Sequence, residues 1–118
     1  MARIRTIKPQ FWGEVSTLSW DARLLLIGIL SGADDEGRFI ATHASVCGHA
    51  FPHEDVPPAK FRKLLDEIAR TELVVLYEDQ GRRYGYIPGY RSAAGVMGQV
   101  INKPQKSALP PPPPDGLF

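Results

Sequence analysis

Lys60, Arg62 and Lys63 stand close together in the chain, and Arg82 with Arg83 follow a short way on. These cations are the residues best suited to chemistry, because ammonium and guanidinium groups neutralise phosphate and a duplex presents phosphates in a dense row. If about five of them touched phosphates, log K would fall against log salt with a slope of roughly −4 to −5. The ordinary alternative is a solvated helix face on which Lys63 and Glu67, four residues apart, make a weak surface pair. A second cationic set, Arg3, Arg5 and Lys8, alternates with Ile4 and Ile7 in ARIRTIKPQFW. An extended arm would lay the isoleucines on the core and turn the cations outward, where Arg3 and Arg5 could also reach DNA; an edge strand with solvated charges fits the same pattern.

His43, Cys47, His49 and His53 form H-x3-C-x-H-x3-H, a short span of groups able to hold zinc. His43 and Cys47 would share a helical face, but a helix running to Ala50 turns His49 away from both, so a half-buried thiol and surface imidazoles are expected and no metal site is assigned. Asp34, Asp35 and Glu36 are expected to cap and solubilise a loop; acid/base work would need a positioned partner. No Gly-rich phosphate loop, nucleophile elbow or His-Glu metalloprotease pattern is present. Neither an enzyme nor a cofactor is expected.

The elements that would position the cations follow from periodicity. Ser19 caps a central helix from Trp20 to about Ser31, apolar at Ala22, Leu25, Leu26, Ile29 and Leu30 and widened by Leu24 and Ile27. Gly37 turns the chain into a short strand, Arg38 to Ala41, and Thr42 caps a helix from His43 to about Ala50. Pro57 and Pro58 suit a first helical turn, after which Phe61, Leu64, Leu65 and Ile68 make one buried stripe. Leu73 to Tyr77 and Tyr84 to Ile87 read as strands of a hairpin turning through Glu78-Asp79-Gln80-Gly81, its tip ending in Arg82-Arg83. Phe11, Trp12, Trp20 and Phe39 are expected in the core, with Phe11-Trp12 as an alternative anchor for a partner. Tyr90 to Val100 would form a last helix, although Gly95 and Gly98 each oppose it by about 1 kcal/mol. Pro110 to Pro114 must be extended, as a stiff solvated spacer or else as a ligand for an aromatic groove.

With 118 residues the chain suits one small core. Its net charge of +1 conceals segregation: residues 1–20 carry three positive and one negative side chain, 21–58 two and six, and 59–118 nine and six. That asymmetry fits a basic face opposite an acidic one. Cys47 stands alone and no apolar run approaches the roughly 20 residues of a membrane span, so a cytoplasmic protein with no membrane partner is expected.

The opening ARIRTIKPQFW, the helix SWDARLLLIGI with ADDEGRF, the block FPHEDV before LLDEI, the strand LVVLYE and the closing QVINKPQKS resemble phage and prophage helix-turn-helix proteins, over about residues 2 to 110. They are similar to the N-terminal DNA-binding domain of phage replisome organisers. The resemblance implies a winged helix-turn-helix, and longer members carry a further domain that contacts replication proteins. This chain stops after its proline run, which leaves a stand-alone DNA-binding role as the expectation. The fold expected is α+β: a three-helix core, a small antiparallel sheet and a β-hairpin wing over residues 1–90, with 1–12 as an arm and 91–118 as a proline-rich tail. The expected function is double-stranded DNA binding through Lys60, Arg62, Lys63, Arg82, Arg83, Arg3 and Arg5, in replication initiation or transcriptional control. Further candidate partners are a phage or host replication protein and a second copy of the chain. An adaptor that uses the fold to hold a protein, and an architectural or recombination-directing DNA binder, are the competing readings.

Overall fold

The Ser19 hydroxyl accepts a hydrogen bond from the Ala22 N–H and so starts the central helix, while the Glu67 carboxylate, reaching over from a later helix, accepts from both the Ser19 N–H and hydroxyl. The computed structural model describes residues 4–113. Among them the elements run α1 (Phe11–Glu14), α2 (Trp20–Gly32), β1 (Arg38–Ile40), α3 (His43–Ala50), α4 (Pro58–Ala69), β2 (Val75–Asp79) and β3 (Arg82–Tyr86). This is a mixed α+β arrangement of four helices and one three-stranded antiparallel sheet ordered β1-β3-β2, compatible with a winged helix. None of the described helices is long and apolar enough to cross a membrane.

The helix α2 buries Ala22, Leu25, Leu26, Ile29 and Leu30 and packs against both α3 and α4. Gly28 permits the first of these contacts, since a Cβ there would lie 2.4 Å from that of Ala50. Thr42 caps α3, and the His43 ring donates from Nε2 to the Val56 carbonyl at 2.6 Å, fastening the linker just ahead of α4. Phe61, Leu64, Leu65 and Ile68 are buried along α4. Removing each such side chain from water stabilises the fold by roughly 2 kcal/mol before entropy is counted. Gln80 and Gly81 both have positive φ, 50° and 77°, the geometry of a two-residue turn whose twist matches that of the strands it joins. Phe39, Gly85 and Leu76 lie on one face of the sheet and meet the helices; Arg38, Ile40, Tyr77, Tyr84 and Tyr86 lie on the other.

The N-terminal arm reverses the expected sidedness. Ile4 is 96% exposed, whereas the Arg5 side chain is 4% exposed, 3.0 Å from both the Asp35 carboxylate and the Ala33 carbonyl. Its guanidinium also lies over the Tyr90 ring, 5.3 Å from the centroid. A buried acid outweighs the two isoleucines, because an unpaired buried carboxylate costs more than an exposed isoleucine. Lys8 likewise turns inward, donating to the Ala93 and Gly95 carbonyls. The short helix α1, with Phe11 buried and Trp12 exposed, was not expected, and Trp20 is also on the surface.

The expected last helix is absent: residues 90–100 run through successive turns, with Gly95 and Gly98 packed against the Gly89 and Ser92 backbone. A side chain at either glycine would collide there, so these residues serve close backbone approach. Gln99 is buried and clasps the arm, accepting from the Thr6 N–H at 2.7 Å and donating to the Thr6 carbonyl at 2.9 Å. The tail beyond is not a free spacer. Gln105 N–H donates to Asp35, Ser107 donates to Glu36 and Asp34, and Arg38 donates to the Leu109 carbonyl. The three acidic residues of the loop therefore anchor the arm and the tail, a larger role than capping.

Candidate nucleic-acid interface

The buried stripe of α4 decides which of its cations face solvent. With Phe61, Leu64, Leu65 and Ile68 turned inward, the outward side carries Lys63, Asp66 and Arg70, with Arg62 on one flank and Lys60 and Glu67 on the other. Lys60 lies on the flank facing α2, where its ammonium sits 2.9 Å from the Asp21 carboxylate. It shares a pocket of about 300 Å³ with Asp21, Glu54 and Asp55, an acidic setting. Glu67 bonds Ser19 and makes no ion pair with Lys63 among the described residues, so the surface pair of the ordinary alternative is not formed.

Arg62, Lys63 and Arg70 are exposed, with no ion pair or side-chain hydrogen bond among the described residues. No side chain caps the start of α4; Pro57 and Pro58 have no N–H to offer, so only the N–H groups of Ala59 and Lys60 and the positive end of the dipole face outward there. On the hairpin, Arg82 and Arg83 are also exposed, but the register sets Asp79 opposite Arg82 and Glu78 opposite Arg83. Each guanidinium thus has a carboxylate as its cross-strand neighbour, which reduces the net positive field of the hairpin tip. Arg5 cannot reach a phosphate without abandoning Asp35, and its assignment as a DNA contact is withdrawn on that ground. Arg3 lies outside the described residues.

The sequence places Arg70 on the exposed side of this helix, but beyond the N-terminal half where the cations crowd, so it was not among the expected contacts; its spacing from Lys63, seven residues, was the available signal. The possible metal ligands diverge. His43 bonds the Val56 carbonyl, His49 Nε2 lies 2.9 Å from the Ser31 hydroxyl, and Cys47 is buried in the core, where desolvation pushes its thiol pKa up. Among the described residues no group of three or more His, Cys, Asp or Glu could hold one ion. A second cavity of about 500 Å³ lies between α2, β1 and α3, roofed by Gln105, Lys106, Ala108 and Leu109 of the tail. No protein-family model, curated protein or solved structure matches this chain.

Proposed function

We propose that the chain is a winged helix-turn-helix protein that holds double-stranded DNA with α4 and the β2–β3 hairpin, in replication initiation or transcriptional control. The element order from α2 to β3 and the strand order β1-β3-β2 are those such a domain needs, with α4 as recognition helix and the hairpin as wing. The observation that carries the reading is the outward face of α4. Its cations Arg62 and Lys63, near an uncapped helix start, and Arg70, at the far end, have no partner among the described residues, while Lys60 and Arg5 are committed within the fold. Cations held free on a rigid helix suit phosphate contacts, which fix a protein on its duplex without reading sequence.

The test is fluorescence anisotropy on a random duplex across a salt series. Four contacts from Arg62, Lys63, Arg82 and Arg83 give a slope of log K against log salt of roughly −3 to −4. Absence of binding at low salt sinks the reading.

An adaptor role is favoured by one separate observation. Trp20 is 83% exposed and Leu24, one turn on, is also exposed, on the outer side of α2. Aromatic and aliphatic groups of that size dominate protein contacts. Capture of a protein by the native chain but not by Trp20→Ala, together with no affinity for duplex, would put this reading first.

A further inference from the structure

Tyr77 and Tyr84 are 1% and 8% exposed, yet neither belongs to the hydrophobic core between sheet and helices. The register places both on the opposite face of the sheet, beside Tyr86 and next to Arg38 and Ile40 of β1. Such a face is ordinarily solvated in a small antiparallel sheet with helices on one side. Here the start of the chain's own proline run meets it. The Tyr77 hydroxyl donates to the Pro110 carbonyl at 2.7 Å, and Arg38 donates to the Leu109 carbonyl at 3.1 Å. Pro110, Pro112 and Pro113 are half-buried while Pro111 stays exposed.

The surface has the chemistry that a polyproline helix demands. Consecutive prolines fix φ and lack N–H groups, so the segment makes no internal hydrogen bonds and offers its carbonyls outward. A recognising surface needs flat apolar rings for the pyrrolidines and fixed donors for those carbonyls. The rings of Tyr77 and Tyr84 are stacked 5.7 Å apart, Tyr86 lies 6.2 Å from Tyr77, and the donors are a phenol and a guanidinium. Burial raises the Tyr77 phenol pKa and keeps it protonated as a donor.

We propose that the outer tyrosine face of the sheet is a polyproline-binding site, filled in cis by residues 109–113 and taken in trans by a proline-rich segment of a partner protein when the tail is displaced. The cis segment is the resident competitor, held close by the bonds from Gln105 and Ser107 to the acidic loop. A tether this short holds its ligand at an effective concentration of about a millimolar, so the native chain must bind a trans peptide far more weakly than a tail-released one.

The probe is a fluorescent peptide with the sequence of residues 107–114, titrated into full-length protein. In the tail-released variant Pro110→Ala/Pro112→Ala/Pro113→Ala, shown folded by far-UV circular dichroism, saturable binding is expected at an affinity about ten-fold or more above that of the native chain. Adding Tyr77→Phe to this variant should weaken binding several-fold. A second measurement leaves the chain native: trypsin cleavage after Lys106 should speed up several-fold when unlabelled peptide is added in excess. Equal binding by native and released proteins, no binding by the folded released protein, or a cleavage rate indifferent to peptide overturns the proposal.

Discussion

The Arg5 guanidinium and the Asp35 carboxylate, thirty residues apart in the chain, meet at 3.0 Å with both side chains almost fully out of water. The same arginine bonds the Ala33 carbonyl, while its Nε finds no acceptor. Removing one partner leaves the other charge in a dry site without its counter-ion. Arg5→Ala and Asp35→Ala should each destabilise the fold by about 3 to 5 kcal/mol, read from urea unfolding. The salt slope of duplex binding by still-folded Arg5→Ala should match that of the native chain; a loss of about one unit would restore Arg5 as a phosphate contact.

Arg62 and Lys63 should behave in the opposite way. Each stands on the surface with no internal partner, so Arg62→Ala and Lys63→Ala should change stability by no more than about 0.5 kcal/mol. Each should lower the magnitude of the salt slope by about one unit. Lys60→Ala should affect the slope less, because its ammonium already has Asp21 and two further acids as neighbours. Equal losses for all three lysine and arginine variants would show that Asp21 releases Lys60 to the duplex.

Gly28 tests the packing of α2 on α3. In an exposed helix, Gly→Ala stabilises by about 1 kcal/mol. Here the added methyl would meet the Ala50 Cβ at 2.4 Å and its Cα at 3.1 Å, atoms that cannot rotate away. Gly28→Ala should therefore lower stability by about 1 to 3 kcal/mol, visible as a lower thermal midpoint.

Tyr90 supplies a pH dependence. Its hydroxyl donates to the Leu30 carbonyl at 2.7 Å, and burial pushes its pKa up to about 12, with Arg5 opposing and Asp35 and Asp34 assisting. The unfolded chain ionises this group near the ordinary value of 10.0. A folded pKa above the unfolded one means that the protonated phenol favours folding. Its contribution is complete below about pH 10 and is lost as pH climbs through about 12. The stability difference between the native chain and Tyr90→Phe, measured by urea unfolding, should be constant at neutral pH and shrink over that alkaline window. A difference that stays flat would show that the phenolate is accommodated.

Local signals made most of the fold legible. Ser19 and Thr42 cap the helices assigned to them, the five apolar positions chosen on α2 are its buried ones, and the α4 stripe is buried as its spacing required. These outcomes depend on neighbours within a turn or two. The errors came where distant residues decide. Alternation in the arm was legible, but which side faces inward depends on Asp35, which no window around Arg5 contains. Gly95 and Gly98 looked like weak points of a helix because the Gly89 and Ser92 backbone they press against is defined only once the chain has turned. At the interface, cation types and spacing were plain, while the capture of Lys60 by Asp21 and of Glu67 by Ser19 required knowledge of how α2 and α4 pack.

The two-way hydrogen bonding of the Gln99 amide with Thr6 spans 93 positions of the chain. During synthesis Arg5 can meet Asp35 early, but the grip of Gln99 on the arm must wait until residue 99 has emerged from the ribosome. Closure of this buckle is then a late event in maturation, and a nascent chain halted before residue 99 would hold its arm by Arg5 and Lys8 alone, with the Thr6 backbone unclasped.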